Sequence, residues 1–273
     1  MDFKLVCSDI DGTLLNKERV LSPRTIQAIK GLHSDIEVVL ASSRMPKAMR
    51  HLQQDLDILG SPLICYNGSY VIAQDADGRE IELHNAPIPV AVARTAAEFG
   101  RAKGLHVGMY RADEWHVPAN DYWTQREENN TRVKSALVDA GKLLGKWEVE
   151  AYGPHKIMCM GEPELVQGVL DLLEARHGDE VHLYRSKETY LEISHKSISK
   201  AGALELVMEW MKGRGMEDVI SFGDNYNDID LLQASGWGVA VGNARAEVKA
   251  VANEVTGRNT EDGVAAILEK YLL

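Results

Sequence analysis

Apolar and polar positions alternate along this chain in two different rhythms. The run Phe3-Lys-Leu-Val-Cys7 reads as a buried parallel strand and stops on Asp9-Ile-Asp11-Gly12. Ser22-Pro23 has the chemistry of a helix start, serine as N-cap and proline at the first helical position. Ile26, Ile29 and Leu32 continue an apolar helical pattern. Ile36–Ala41 is β-rich and ends on Ser42-Ser43-Arg44; Met45–Leu59 predicts a second helix and Pro62–Tyr66 a third strand, ending on Asn67-Gly68. Strand-helix-strand-helix-strand predicts a parallel sheet with right-handed crossovers.

From Ser69 the rhythm changes. Hairpin-like sequence to about Leu83 contains an Asp77-Gly78 turn, followed by a helix over Pro89–Lys103 and strands at Leu105–Arg111 and Trp115–Pro118. His155–Gly161 reads as a strand, Glu162–Arg176 as a helix, and Val181–Ser186 as a strand able to pair with Thr189–Ser194. Helices mixed with hairpins predict an α+β module. The earlier rhythm then returns with helix Lys200–Lys212, strand Val219–Phe222, helix Asp228–Ala234, strand Gly238–Val241, helix Ala244–Ala252 and a last helix from Glu261. The expected organisation is an α/β domain over residues 1–84 and 187–273, interrupted by an α+β domain over 85–186.

Composition narrows the class. The 273 residues carry a formal net charge of -11, which opposes binding to nucleic acid or to anionic membranes. The opening Met-Asp-Phe-Lys lacks the apolar core of a signal peptide, and no apolar run is long enough to span a bilayer. Cys7, Cys65 and Cys159 each lie in a strand-like apolar run, as reduced core thiols do. The expectation is a cytoplasmic protein, a monomer or small homo-oligomer.

Ligands of open α/β sheets bind beyond the carboxyl ends of the strands. Extended backbone with one residue between Asp9 and Asp11 puts both carboxylates on one side, and Gly12 permits the turn away. Such a pair suits a divalent cation, and either acid could serve as a nucleophile. A solvated turn is the competing reading. A calcium loop is excluded, because the glycine comes two positions early and Val20 stands where a bidentate glutamate belongs. Ser42-Ser43-Arg44 offers hydroxyls and backbone N–H groups to a phosphate at a helix start, although serine clusters are common in loops. Asp224 and Asp228, in Phe222-Gly-Asp-Asn-Tyr-Asn-Asp228, can converge on one ion from a loop and a first helical turn; alternatively Asp224 caps a helix. Gly236-Trp-Gly238 has neither the spacing nor the strand-to-helix context of a dinucleotide loop, and the nine histidines show no metal-ligand spacing. Trp115, Tyr122 and Trp123 could line a pocket but are better read as packing.

The string Asp9 to Leu14, D-I-D-G-T-L, resembles the first motif of the haloacid dehalogenase superfamily of phosphatases. Three later stretches resemble its other motifs in order, across nearly the whole chain, and the nearest likeness is to the Cof-type branch (subfamily IIB). The resemblance implies a Rossmann-like parallel-sheet core with an inserted cap. It implies a Mg2+-dependent phosphatase of small phosphorylated metabolites, with sugar phosphates or related compounds as substrates, working through an aspartyl-phosphate. Asp9 takes the nucleophile's position and Asp11 that of the general acid and base. Lys200, rather than Lys196, matches the catalytic lysine. Asp9, Asp11 (through its carbonyl oxygen) and Asp224 match the metal ligands, Asp228 the residue that orients the ion's waters, and Asn227 a phosphoryl contact. Ser42, Ser43 and Arg44 match a Thr-Gly-Arg phosphate loop, from which Ser43 departs. A sugar phosphotransferase or phosphomutase, and a phospho-accepting signalling domain, are the competing readings; the inserted module counts against the second.

Overall fold

The computed structural model of the chain describes residues 3–197, 199–212 and 215–273; the first two residues of the amino-terminal segment read above lie outside them. The chain divides into two compact units, one of Met1–Arg44, Met49–Asn85 and Ile198–Leu273, the other of Met45–Ala48 and Ala86–Ser197.

The first stretch of chain gives β1 (Leu5–Ser8), α1 (Pro23–Lys30), β2 (Glu37–Ala41), α2 (Lys47–Leu56), β3 (Leu63–Cys65), β4 (Tyr70–Gln74) and β5 (Glu80–Asn85). The second unit carries α3 (Val90–Lys103), β6 (His106–Arg111), β7 (Glu114–Val117), α4 (Tyr122–Thr131), β8 (Ala136–Leu137), α5 (Ala140–Glu150), β9 (Lys156–Met160), α6 (Pro163–His177), β10 (Val181–Lys187) and β11 (Tyr190–His195). The chain then completes the first unit with α7 (Lys200–Met211), β12 (Val219–Gly223), α8 (Ile229–Ala234), β13 (Trp237–Ala240), α9 (Ala246–Val251), β14 (Glu254–Val255) and α10 (Gly263–Tyr271).

The first unit's sheet runs β14-β13-β12-β1-β2-β3-β4-β5. Neighbours from β14 to β3 are parallel, and β4 and β5 add an antiparallel hairpin edge. β1 sits inside this sheet, with Ser8 opposite Phe222 of β12 on one side and Leu40 of β2 on the other. Its residues Leu5, Val6 and Cys7 are wholly buried, which is why the strand reads as a continuous apolar run rather than an alternating one. Leu5, Cys7, Val39, Ala41 and Ile64 pack on Ala203, Leu204, Val207 and Met208 of α7. Burying aliphatic side chains of this size contributes about 1.5–3 kcal/mol each, which fixes α7 on the sheet and with it the start of that helix. Local signals agree: the Ser22 hydroxyl accepts from Thr25 N–H at 3.0 Å and Pro23 opens α1, while Ser199 caps α7.

The second unit's sheet runs β10-β11-β9-β6-β7-β8, antiparallel except between β7 and β8. Val107, Met109, Ile157, Cys159, Leu191 and Ile193 alternate onto one face and pack against α3, α5 and α6. The return to the first unit comes later than the expected Lys187. Lys187 ends β10, and the next strand, β11, is laddered to both β10 and β9, so the second unit extends to Ser197. Helices α4 and α5 had no counterpart in the sequence reading. Trp115 stacks on Tyr110 with centroids 5.3 Å apart, Trp123 meets Tyr190 edge-on at 5.6 Å, and Tyr122 is exposed. All three cysteines are buried and none is in a disulfide, and burial pushes the Cys7 and Cys159 thiols up to about 12. Among the described residues no helix is long and apolar enough to cross a membrane.

Candidate active site

Asp9 is the first residue beyond β1. Its N–H donates to the Phe222 carbonyl of β12 at 3.0 Å, which pins it between two parallel strands at their carboxyl ends, 5% exposed. The chain then reverses through Ile10–Leu14, with Gly12 at φ +91°. A Cβ at Gly12 would collide with the Asp224 carboxylate, so both the backbone angle and the space demand glycine. Thr13 Oγ1 donates to Asp224 Oδ1 at 3.4 Å, and Asn243 Nδ2 donates to the Gly12 carbonyl at 2.7 Å. Gly12→Ala is expected to lower the thermal midpoint by roughly 5 °C, from about 1–3 kcal/mol of strain. An unchanged midpoint in thermal denaturation would show that the turn relaxes without cost.

Lys200 opens α7 and is buried entirely. Its Nζ donates to Asp9 Oδ1 at 2.5 Å and to Asp228 Oδ1 at 2.6 Å. Burial opposes its charge, but Asp228 and Asp9 outweigh that and hold the ammonium above its ordinary range. Asp228 is wholly buried, and its Oδ2 accepts the N–H groups of Asp224 (2.9 Å) and Asn225 (3.0 Å). Gly223 belongs to this arrangement, since a Cβ there would strike Asp228. Burial, with Asp228 and Asp224 nearby, pushes the Asp9 carboxyl well up against the opposing pull of Lys200. Burial and Asp228 likewise raise Asp224, to about 6, against Lys200 and Thr13. Burial is the largest cause of both carboxyl shifts, and the neighbouring acids add to it against the pull of Lys200.

The loop after β2 lies alongside. Ser42 is buried, and its Oγ accepts the Arg44 N–H at 3.2 Å. Ser43 is not among the residues with left-handed backbone, so serine fits there without strain where the resembling motif has glycine. Arg44 forks onto Asp11, Nε to Oδ2 at 2.7 Å and an Nη to Oδ1 at 2.8 Å. Both Asp11 oxygens meet the guanidinium, an arrangement that favours the carboxylate, so a general-acid role requires Asp11 first to leave Arg44. Beyond the end of β1 at Ser8, the Asp9 side chain meets Lys200 and the Asp11 side chain meets Arg44.

The structure therefore joins the predicted residues as two contacting sets: Asp9, Lys200, Asp224 and Asp228, and Asp11 with Ser42 and Arg44. Asn227, on the turn after β12, donates from Nδ2 to Asn67 Oδ1 at 2.9 Å. Thr13, Asn67 and Asn243 were not singled out from the sequence. The amide that follows β3, Asn67-Gly68, sits at a strand end like the other site residues, and that position was the available signal.

Among the described residues, Asp9, Asp224 and Asp228 each offer a carboxylate oxygen, all within 4.8 Å of one another. Asp9 Oδ2 is buried without a hydrogen-bond partner. The oxygens of Asp228 are taken by Lys200 and by two backbone N–H groups, which leaves Asp9 Oδ2 and the Asp224 carboxylate the less committed. A hard divalent cation fits this donor set: it takes oxygen ligands and offsets the excess of negative charge.

Residues 6–268 match the family model described as haloacid dehalogenase-like hydrolase. A putative phosphatase of Haemophilus influenzae is 32% identical over 99% of this chain and 98% of its own. The pyridoxal phosphate phosphatase YbhA of Escherichia coli is 29% identical over the full length of both. The crystal structure of a haloacid dehalogenase-like hydrolase from Bacteroides thetaiotaomicron superposes with a TM-score of 0.87 at 27% identity, covering 98% of this chain and 99% of that one.

Proposed function

Because the chain belongs to the haloacid dehalogenase-like hydrolases and is a phosphoric monoester hydrolase, we propose that it cleaves small phosphorylated metabolites, sugar phosphates or related monoesters, with Mg2+ and an aspartyl-phosphate on Asp9. The observation that carries this reading is the asymmetry of the Asp9 carboxylate. Lys200 restrains Oδ1, while Oδ2 is buried and unpartnered. An oxygen that is desolvated and yet aimed by its twin is suited to attack.

Asp9 Oδ2 attacks phosphorus, and the bond from phosphorus to the leaving oxygen breaks. Asp11, which takes up a proton from solvent once the arriving phosphoryl group displaces it from Arg44, gives that proton to the leaving oxygen. Water then attacks the phosphoryl group, Asp11 takes a proton from it, and the bond to Asp9 breaks to release phosphate. Asp11 starts on Arg44, so an arriving phosphoryl group, competing for the guanidinium, frees Asp11 as it binds. Ser42, Ser43 and Asn227 complete the phosphate contacts, and Lys200 balances charge beside Asp9. Asp9, Asp224 and the Asp11 carbonyl oxygen would hold Mg2+, which when bound supplies positive charge against the phosphoryl oxygens. Asp228 orients Lys200 and the loop of Asp224, a role that reaches the ion only through its neighbours. The demand on these groups is large, since monoester hydrolysis needs accelerations up to ~10²¹.

The E. coli relative is named for pyridoxal phosphate, which supports a small organic monoester here. Phosphate release from a panel of sugar phosphates, nucleotides and pyridoxal phosphate tests the reading. Turnover should vanish with a chelator and return with Mg2+, and Asp224→Ala should raise the Mg2+ needed for half-maximal rate by about 10–100-fold. Turnover that survives thorough chelation, or an Asp224→Ala enzyme with an unchanged Mg2+ requirement, would overturn it.

A further inference from the structure

Three consecutive residues after β3 have left-handed backbone: Tyr66 at φ +52°, Asn67 at +59° and Gly68 at +109°. A bulky aromatic residue rarely adopts this region, so the turn persists because its surroundings over-determine it. Tyr66 N–H donates to the Arg44 carbonyl at 3.1 Å, and Asn67 N–H to the Ser42 carbonyl at 2.9 Å. A Cβ on Gly68 would come within 2.7 Å of the Ser199 carbonyl oxygen, one residue before Lys200. The Asn67 side chain reaches Asn227. One strained turn thus touches the loop after β2, the start of α7 and the loop after β12.

The Asn67–Asn227 contact has a chemical sense. A carboxamide has a donor end and an acceptor end, whereas a phosphoryl oxygen only accepts. Asn67 presents its carbonyl oxygen, so Asn227 must turn its amino group to this side, and the second N–H of that group remains to serve an anion. Without the acceptor at Asn67, the Asn227 amide could as well turn its oxygen inward and repel the phosphoryl group. We propose that Asn67 is a positioning residue whose side-chain oxygen fixes the Asn227 carboxamide in its anion-binding orientation. The inference rests on the reading of Asn227 as a phosphoryl contact.

Asn67→Gly separates side chain from backbone, because glycine keeps the left-handed turn and removes only the amide. With p-nitrophenyl phosphate, Asn67→Gly should raise KM, and the inhibition constant of inorganic phosphate, by roughly tenfold, as befits one lost hydrogen bond to a charged group. Its kcat should stay within about threefold and its thermal midpoint within a few degrees. Asn227→Ala should give a similar rise, and Asn67→Gly added to Asn227→Ala should change KM by less than about twofold, the signature of one residue acting through the other. If Asn67→Gly costs as much with Asn227→Ala as without it, or costs nothing while Asn227→Ala does, the positioning role is wrong and the phosphoryl contact stands. If Asn227→Ala leaves KM unchanged, the contact itself is wrong and this inference falls with it.

Discussion

Asp9→Asn is expected to fold normally and to lose turnover by at least ~10⁴-fold, as losses at covalent nucleophiles run. The change is nearly isosteric, so the groups around the substituted side chain keep their places: the Phe222 carbonyl still receives the backbone N–H, and Lys200 retains Asp228. What disappears is the Oδ2 that would carry the phosphoryl group, together with one of the three carboxyl groups gathered at the site. Stability should therefore hold while chemistry stops. A short reaction with substrate, quenched and read by mass spectrometry, should place a phosphoryl adduct on Asp9 in the parent enzyme and none in the variant. Turnover above a few per cent of the parent, in a preparation free of contaminating phosphatase, would remove Asp9 as the nucleophile.

Much of this site was legible because chemistry sits where apolar runs stop. β1, β2 and β12 are buried on both faces, so their sequences are plainly apolar and the polar residues at their ends stand out. The second unit hid more. α4 buries only Thr124 and Glu127, so no apolar stripe marks it; α5 does carry one at Ala140, Leu143, Leu144 and Trp147, but Gly141 and Gly145 lower its helix propensity. The partners of the site residues were harder still. Asp9 and Asp11 are alternate residues, and pattern alone gives them a common side; it does not show that Lys200 meets the one and Arg44 the other. Asn67 was visible only as a strand end, because its importance lies in the sign of a backbone angle and in a partner far along the chain, at Asn227.

Lys200→Met should be the most destabilising single change at the site, because it removes the cation that two buried carboxylates share. Asp9 Oδ1 and Asp228 Oδ1 both rest on Nζ, and neither side chain has meaningful access to water. Breaking a buried ion pair from one side typically costs about 3–5 kcal/mol, because the charge left behind has lost both partner and solvent. For a chain of this size that is a fall of roughly 10 °C in the thermal midpoint. Turnover should fall too, by about 10²–10³-fold, as when one preorganised charge-stabilising donor is deleted. The two losses have separable causes. Lys200→Met combined with Asp228→Asn removes the stranded charge at Asp228 and should recover a large part of the midpoint, while the amide still accepts the Asp224 and Asn225 N–H groups. It cannot restore a cation beside Asp9, so turnover should remain low. If the double variant recovered rate along with stability, Lys200 would be a structural neutraliser of Asp228 and not a participant in the chemistry at Asp9.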